Sequence, residues 1–345
     1  MRATQPNSIW LVIDSNTFGG IETHVLELAD GLSQHNEPVA VVFLKDYGGE
    51  NQLEGKLEAR GVPSLFLNRI YPKHSILKAF HELLKVHSPT VVHAHGYKSS
   101  IITKLAKVSS SKSEWKQIST YHAGETPKGR VWLYDALDRY TSFISDHSLA
   151  VSNKIQKKLI SRSKRLNNFI NLGGLSSTQG SEIAFVGRMS HEKAPDRFMA
   201  LAQEFPDVTF HCYGSGPMED ELRQANSNNN VLFHGHQTNM EKVWKQIDVL
   251  IICSRYEGLP MAALEAMARG IVVIAMDVGD LAKLIEHQDN GFIGSNMQEL
   301  KNHLSHWLNL NAFEQNEIRT KAQLTIEKHY SQQAIIPQFL SLYHG

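Results

Sequence analysis

The chain of 345 residues has only two cysteines, Cys212 and Cys253, and both close apolar runs. Their spacing speaks against a disulfide framework or a cysteine zinc site, and a reducing cytoplasm is the simplest setting. No apolar run approaches the ~20 residues needed to cross a bilayer. The opening MRATQPNSIWLVID lacks a basic segment followed by a long apolar one, so it does not read as a signal peptide. Net charge is also missing, because 35 Lys+Arg balance 35 Asp+Glu. A GxGxxG turn is absent: GSGPME at Gly214 has two of the three glycines, and FGGIET has the wrong spacing. That argues against a dinucleotide-dependent oxidoreductase. The lack of a GxSxG elbow argues against a serine hydrolase of the α/β type.

What is present describes a folded protein. Apolar residues make up 41% and charged residues 20%, as in soluble globular chains. At roughly 150 residues per domain the length suggests two domains. Residues 1–175 carry 22 basic and 15 acidic side chains, and residues 176–345 carry 13 and 20, a net of +7 against −7. The short apolar runs Ser8–Ile13, Val39–Leu44, Ser64–Leu67, Thr90–His93, Gln117–Tyr121 and Ser148–Val151 predict buried strands, with amphipathic helices such as Ile21–Gln34 and Ile76–Val86 between them. The Asn-, Gly- and Ser-rich stretch Asn167–Ser181 predicts a linker. Beyond it the alternation restarts, with strands at Ile183–Val186, Val208–Tyr213, Val231–Phe233, Val249–Cys253 and Ile271–Ala275 and a mostly helical tail from Asn296. The expected fold is α/β: two tandem Rossmann-like domains, facing each other across a cleft at the carboxyl ends of their strands. The expected boundaries are 1–168, 169–328 and a C-terminal helix, 329–345, packing back on the first domain.

The sequence Cys253-Ser-Arg-Tyr-Glu-Gly-Leu-Pro-Met-Ala-Ala-Leu-Glu265 carries the strongest chemical signal. A strand ends at Cys253, Pro260 is expected as the first helical residue, and Gly270 ends the helix. Amides at Gly258 and Leu259 then face out of a helix start, which suits a diphosphate. Glu265 lies further along the helix, where a carboxylate suits the hydroxyls of a ribose. Glu257 lies just before the helix, near where a sugar would hang from the diphosphate. A second loop, Gly187-Arg-Met-Ser-His-Glu-Lys193, places Arg188 and Lys193 at a matching edge. Two cations there stabilise a departing diphosphate without a metal.

With these loops in view, the second half resembles the family 4 retaining glycosyltransferases of the GT-B fold. Their signature is a pair of glutamates separated by seven residues, matched by Glu257 and Glu265 in EGLPMAALE. AMARG-IVVIA matches the continuation, GRMSHEK the diphosphate clamp, and YGSGPMEDEL a further element bearing Gly214 and Gly216. HGHQ, with His234, stands where the family has a loop near the nucleobase. In the first half FGGIETH, with Gly19 and Gly20, resembles the first-strand loop, whose glycines would let backbone approach the diphosphate. VVHAHGY and STYHAGE place His95 and His122 where the family has cleft histidines, His122 nearer the donor sugar. The resemblance implies a nucleoside-diphosphate sugar donor, a saccharide or lipid-linked acceptor, retention at the anomeric carbon, and an acceptor-binding first domain. It also implies a role in bacterial polysaccharide or lipopolysaccharide synthesis. A non-catalytic nucleotide-sugar or glycan binder on the same fold is the alternative.

One departure is Asp277-Val-Gly-Asp-Leu-Ala-Lys283, where Gly279 remains but the family's Pro-Glu is absent. His93, two residues before His95, would point the same way along a strand and reads as structural. His93, His95 and His122 have no carboxylate or cysteine to complete a set, so no metal and no separate cofactor is expected. Acceptor selection is expected of loops at Tyr97–Ser100 and Gly124–Arg130. Finally, Asn153–Arg165 holds six basic residues and no acid. With Ile155, Leu159 and Ile160 it predicts a basic amphipathic helix, and Lys154–Arg165 as a contact with an anionic membrane surface. Nucleic acid is not expected, since no binding motif accompanies the charge. The expected location is cytoplasmic, on the inner face of the cell membrane.

Overall fold

Runs that are apolar on both faces become the central strands of two parallel sheets. The computed structural model describes residues 7–110, 114–122, 130–151, 153–178, 180–226 and 229–345. The chain separates into two compact units, residues 1–171 with 332–345, and residues 172–331.

In the first unit the strands are β1 (Ile9–Ile13), β2 (Val39–Phe43), β3 (Ser64–Phe66), β4 (Val91–His95), β5 (Lys116–Tyr121), β6 (His147–Ala150) and β7 (Ser163–Arg165). They form a seven-stranded sheet in the order β3-β2-β1-β4-β5-β6-β7. The crossovers carry α1 (Gly20–Gln34), α2 (Gln52–Ala59), α3 (Leu67–Ile70), α4 (Ile76–His87), α5 (Tyr97–Ser109), α6 (Arg130–Tyr140) and α7 (Asn153–Gln156). All five residues of β1 are buried, as are those of β2 and β4. The order reverses direction between β1 and β4, and the register sets His95 level with Ile13 at the carboxyl ends. α5 begins at Tyr97, so Tyr97–Ser100 is a helix turn and not the expected loop. Of the expected acceptor loop Gly124–Arg130, residues 124–129 lie outside the described residues.

In the second unit the strands are β8 (Glu182–Val186), β9 (Phe210–Tyr213), β10 (Val231–Gly235), β11 (Ile247–Ile252), β12 (Val272–Met276) and β13 (Phe292–Gly294), in the order β10-β9-β8-β11-β12-β13. The helices are α8 (Pro195–Gln203), α9 (Glu219–Gln224), α10 (Met240–Trp244), α11 (Met261–Ala268), α12 (Leu281–Leu284), α13 (Met297–Asn309) and α14 (Ala312–His329). Here the direction reverses between β8 and β11. In open α/β sheets that reversal opens a crevice beyond the strand ends, where ligands bind.

The last helix, α15 (Gln332–His344), returns to the first unit. Gln332 Nε2 donates to Glu27 O at 2.9 Å, and the Tyr343 hydroxyl and His93 Nδ1 are 2.7 Å apart. Gly31 in α1 admits Ile336, because a Cβ there would lie 2.6 Å from the isoleucine side chain.

The basic run is not the expected amphipathic helix. Only Asn153–Gln156 is helical, and Ser163–Arg165 forms β7, pairing Ser148 with Ser163 and Ala150 with Arg165. Ile155 is buried while Ile160 is 61% exposed, so they do not share a face. Lysine and arginine on an outer strand, here Lys164 and Arg165, keep its free edge from pairing with other chains.

Candidate active site

The loops after β8 and β11 meet at the reversal point of the second sheet. After β8, the Gly187 N–H donates to Tyr213 O and the Met189 N–H to Ser215 O. This clamps the Gly187–Lys193 loop to the Gly214–Gly216 loop. The two glycines there are required by the close approach: a Cβ on Gly214 would lie 2.0 Å from Gly187 O, and one on Gly216 2.5 Å from Met189 O. Gly214 and Gly216 thus shape the loop that bears the cations. Arg188 is exposed on that loop, and among the described residues it has no salt-bridge partner. Lys193 reaches across to the β11 loop, where Nζ donates to Glu257 Oε1 at 2.6 Å. The Ser254 hydroxyl donates to the same oxygen at 2.7 Å. The Glu257 side chain is 7% exposed and that of Lys193 36%, so the carboxylate is buried and the lysine is part-exposed.

Arg255 locks the two loops together. Its guanidinium holds Asp196 through two bonds, at 2.8 and 2.5 Å, and its N–H donates to Glu192 O at 2.8 Å. A bidentate pair of this kind fixes direction as well as charge. The guanidinium holds the Asp196 carboxyl below its usual range. Ser254, Arg255 and Asp196 were not singled out from the sequence, since only the fold shows which loops they join.

α11 follows directly. Pro260 has φ −70° and ψ 131°, so it is the cap, and Met261 is the first helical residue, one later than expected. An extended cap is the ordinary geometry at a helix start. Leu259 is buried, and the Gly258 carbonyl accepts the Asp280 N–H at 2.9 Å. Gly279, kept in the divergent loop, packs on this turn at φ +65°; a Cβ there would lie 2.3 Å from Gly258 O and 2.5 Å from Glu257 O. The divergent loop therefore supports the Glu257–Gly258 turn. Glu265 accepts the Trp244 indole N–H at 2.8 Å, which orients its carboxylate. His234 stacks on Tyr213 at 4.3 Å, and on His211 at 5.2 Å, against one face of the sheet. Cys212 and Cys253 are buried and free, and burial pushes both thiols up to about 12. They are inert packing residues.

The first unit gathers its own cluster at the β1–β4 reversal. Gly19 caps α1 in an extended conformation, its N–H donating to Glu22 Oε2 at 3.0 Å. A Cβ on Gly20 would meet nothing within 4 Å. His95 Nδ1 and His122 Nε2 are 3.1 Å apart. The His24 ring stands 4.9 Å from that of His122 and 5.4 Å from that of His95. His24 ended the FGGIETH motif without a role; its burial on α1 puts it beside two histidines distant in sequence. One nitrogen from each of His24, His95 and His122 lies within 4.8 Å of the others, a geometry that could hold a cation. His93 does share the side of His95, with rings 4.2 Å apart, but it is committed to Tyr343 and to Thr120 Oγ1 at 2.6 Å. Burial lowers all four imidazoles, His24 to about 4, so they are neutral at pH 7. Asp14, at the end of β1, accepts from Lys98 Nζ at 2.7 Å and from the Tyr47 hydroxyl at 3.0 Å. Nothing in the spacing of these three residues announced that group.

Residues 18–166 match the family model described as Glycosyltransferase Family 4, and residues 180–309 match Glycosyl transferases group 1. The chain belongs with the family 4 glycosyltransferases. An "Uncharacterized glycosyltransferase" of Haemophilus influenzae is 22% identical over 84% of this chain and 87% of its own length. The "O-antigen biosynthesis glycosyltransferase WbnH" of Escherichia coli is 27% identical over 48% of this chain and 52% of its own. The solved structure of Anabaena Alr3699/HepE in complex with UDP and glucose has a TM-score of 0.82 at 17% identity, covering 98% of this chain and 99% of that one. The fold of this family 4 glycosyltransferase is thereby matched over nearly its full length.

Proposed function

We propose that this glycosyltransferase moves a hexosyl group from a nucleoside-diphosphate sugar to a hydroxyl of a saccharide or lipid-linked acceptor, with retention at the anomeric carbon. The Lys193–Glu257 contact at the β8–β11 reversal carries the reading. It brings together a cation for the diphosphate and a carboxylate for the sugar, from loops distant in sequence. On this reading Arg188 and Lys193 stabilise the charge that grows on the departing diphosphate. The start of α11, at Gly258–Pro260, adds its positive end. Glu265, fixed by Trp244, accepts from the ribose hydroxyls. Glu257 orients the sugar, and in the first unit neutral His122, beside His95, offers a nitrogen to a hydroxyl. The leaving phosphate takes the acceptor proton, so no separate base is assigned.

No metal is assigned to the reaction, since two side-chain cations already supply the charge. Use in polysaccharide or lipopolysaccharide assembly is supported by the similarity to WbnH, a glycosyltransferase of O-antigen biosynthesis. No described helix is long and apolar enough to cross a membrane. Work on a lipid-linked acceptor would put the enzyme at the cytoplasmic membrane surface, with the exposed Lys157, Arg162 and Lys164 facing anionic lipid. A thermal-shift screen of UDP-, GDP- and ADP-sugars identifies the donor, and release of the diphosphate then measures turnover. Lys193→Ala should lower turnover about 10²-fold, the scale of losing one charge-stabilising donor. Unchanged turnover in that variant would remove the clamp, and donor binding without any turnover would favour the non-catalytic reading.

A further inference from the structure

α6 is inside out. A helix on a soluble surface buries its apolar stripe and shows its charges to water. In α6 the acids point inward: Asp138 is 3% exposed, and its Oδ1 accepts from the buried Lys104 Nζ at 2.7 Å. Lys104 Nζ also donates to the Asp138 carbonyl at 2.8 Å and to the Tyr121 hydroxyl at 2.9 Å. Asp135, one turn earlier on the same side, is buried as well. The opposite stripe, Leu133, Leu137 and Tyr140, faces out, with Leu133 62% and Tyr140 65% exposed. Trp132 and Tyr134 flank it, and Phe143, in the 3-10 turn Ser142–Ile144 just after the helix, is 69% exposed. Isolated exposed apolar residues need no explanation, but a contiguous apolar face does. The buried ion pair holds this face outward, so it is a built feature and not a slack segment.

The charge beside it says what covers it. The Ser161 N–H donates to Ser142 Oγ at 3.2 Å, which sets the turn after α7 against the 3-10 turn carrying Phe143. That turn and β7 show Lys157, Arg162 and Lys164 to solvent together with Ile160, and residues 153–165 include no acid. Tryptophan and tyrosine around an aliphatic stripe, with lysine and arginine alongside, is the composition of a surface that seats in the headgroup region of a bilayer. We propose that the outward face of α6, with Phe143 and the neighbouring basic turn, docks the protein on an anionic lipid surface: apolar side chains enter and the cations hold the headgroups. This rests on the reading of a membrane-borne acceptor and deepens it, replacing a basic helix by an apolar helix with a basic border.

The test is flotation of the full chain with phosphatidylcholine vesicles, with and without phosphatidylglycerol. Wild type should float with the anionic vesicles and much less with the neutral ones. Leu133→Ser combined with Leu137→Ser should weaken that binding at least about tenfold, through loss of two inserted leucines, while every cation remains. Lys157→Glu combined with Lys164→Glu should abolish the preference for anionic lipid. Quenching by brominated lipid should be lost in Trp132→Phe, which reports insertion at that residue. Far-UV dichroism and thermal melting confirm that each variant is folded. No flotation on either vesicle overturns the proposal. So does full binding by the leucine variant, or a change in that variant from dimer to monomer with flotation unaltered, which would assign the face to a second copy. Donor turnover on a short soluble acceptor separates the two readings: flotation without turnover leaves docking intact and sinks the transferase mechanism, and turnover without flotation does the reverse.

Discussion

Replacing Gly279 with alanine tests whether the divergent loop supports the Glu257 turn. The position has φ +65°, and an added Cβ would lie 2.3 Å from Gly258 O and 2.5 Å from Glu257 O. A left-handed conformation costs an L-residue about 1–2 kcal/mol, and forcing an extra methyl against fixed backbone costs about 1–3 kcal/mol more. The sum of about 2–4 kcal/mol corresponds to a fall of roughly 5–15 °C in the melting of a unit this size. Relief requires the Glu257–Gly258 turn to shift, so donor affinity should fall with stability. Gly55 in α2 is the control: a Cβ there meets nothing within 4 Å, and Gly55→Ala should stabilise by about 0.5–1 kcal/mol. Thermal melting with and without the donor found by the screen reads both variants. If Gly279→Ala melts like wild type and binds donor equally, the close approach is not there and the argument fails.

The remaining predictions concern the first unit and the chemistry. Burial holds His24 at about 4 against an ordinary 6.5. Between those values the unfolded chain binds a proton that the folded chain does not, so stability is full above about pH 6.5 and falls as pH drops toward 4. That shift amounts to about 3 kcal/mol. His24→Leu, set among Phe169 and Phe339, should flatten the loss, and identical melting curves for variant and wild type at pH 7 and pH 5 would contradict it. Tyr343→Phe leaves His93 Nδ1 without its 2.7 Å partner and should cost about 1–2 kcal/mol, read as a lower urea midpoint; an unchanged midpoint would mean that α15 is not anchored there. On the proposed reading, in which Arg188 and Lys193 take the diphosphate charge, turnover should survive EDTA. Loss on chelation, restored by a divalent ion, would point instead to His24, His95 and His122.

Much of this molecule is written locally. Ile9–Ile13 and Val272–Met276 are strands because such runs bury both faces. The Glu257–Glu265 stretch was legible for the same reason: strand, loop and helix start are neighbours in the chain. The sequence by itself thus determined the alternation of elements, the central strands of the two sheets and the loops of the candidate site, but not the outer strands Ser163–Arg165 and Phe292–Gly294. Only the tertiary structure decided which side chains meet. Lys193 finds Glu257 across 64 residues, and Trp244 orients Glu265 from another helix. His24 joins two histidines from β4 and the end of β5, and Tyr343 reaches His93 across 250 residues. The basic run illustrates the limit. Its composition permits a helix, but β6 offers Ser163–Arg165 an open edge with unpaired hydrogen-bonding groups, and filling that edge outweighs local preference. The same holds for α6. Its local pattern does not say which side faces the sheet, and the Lys104–Asp138 pair, made between two helices, sets the acids inward and the apolar stripe outward.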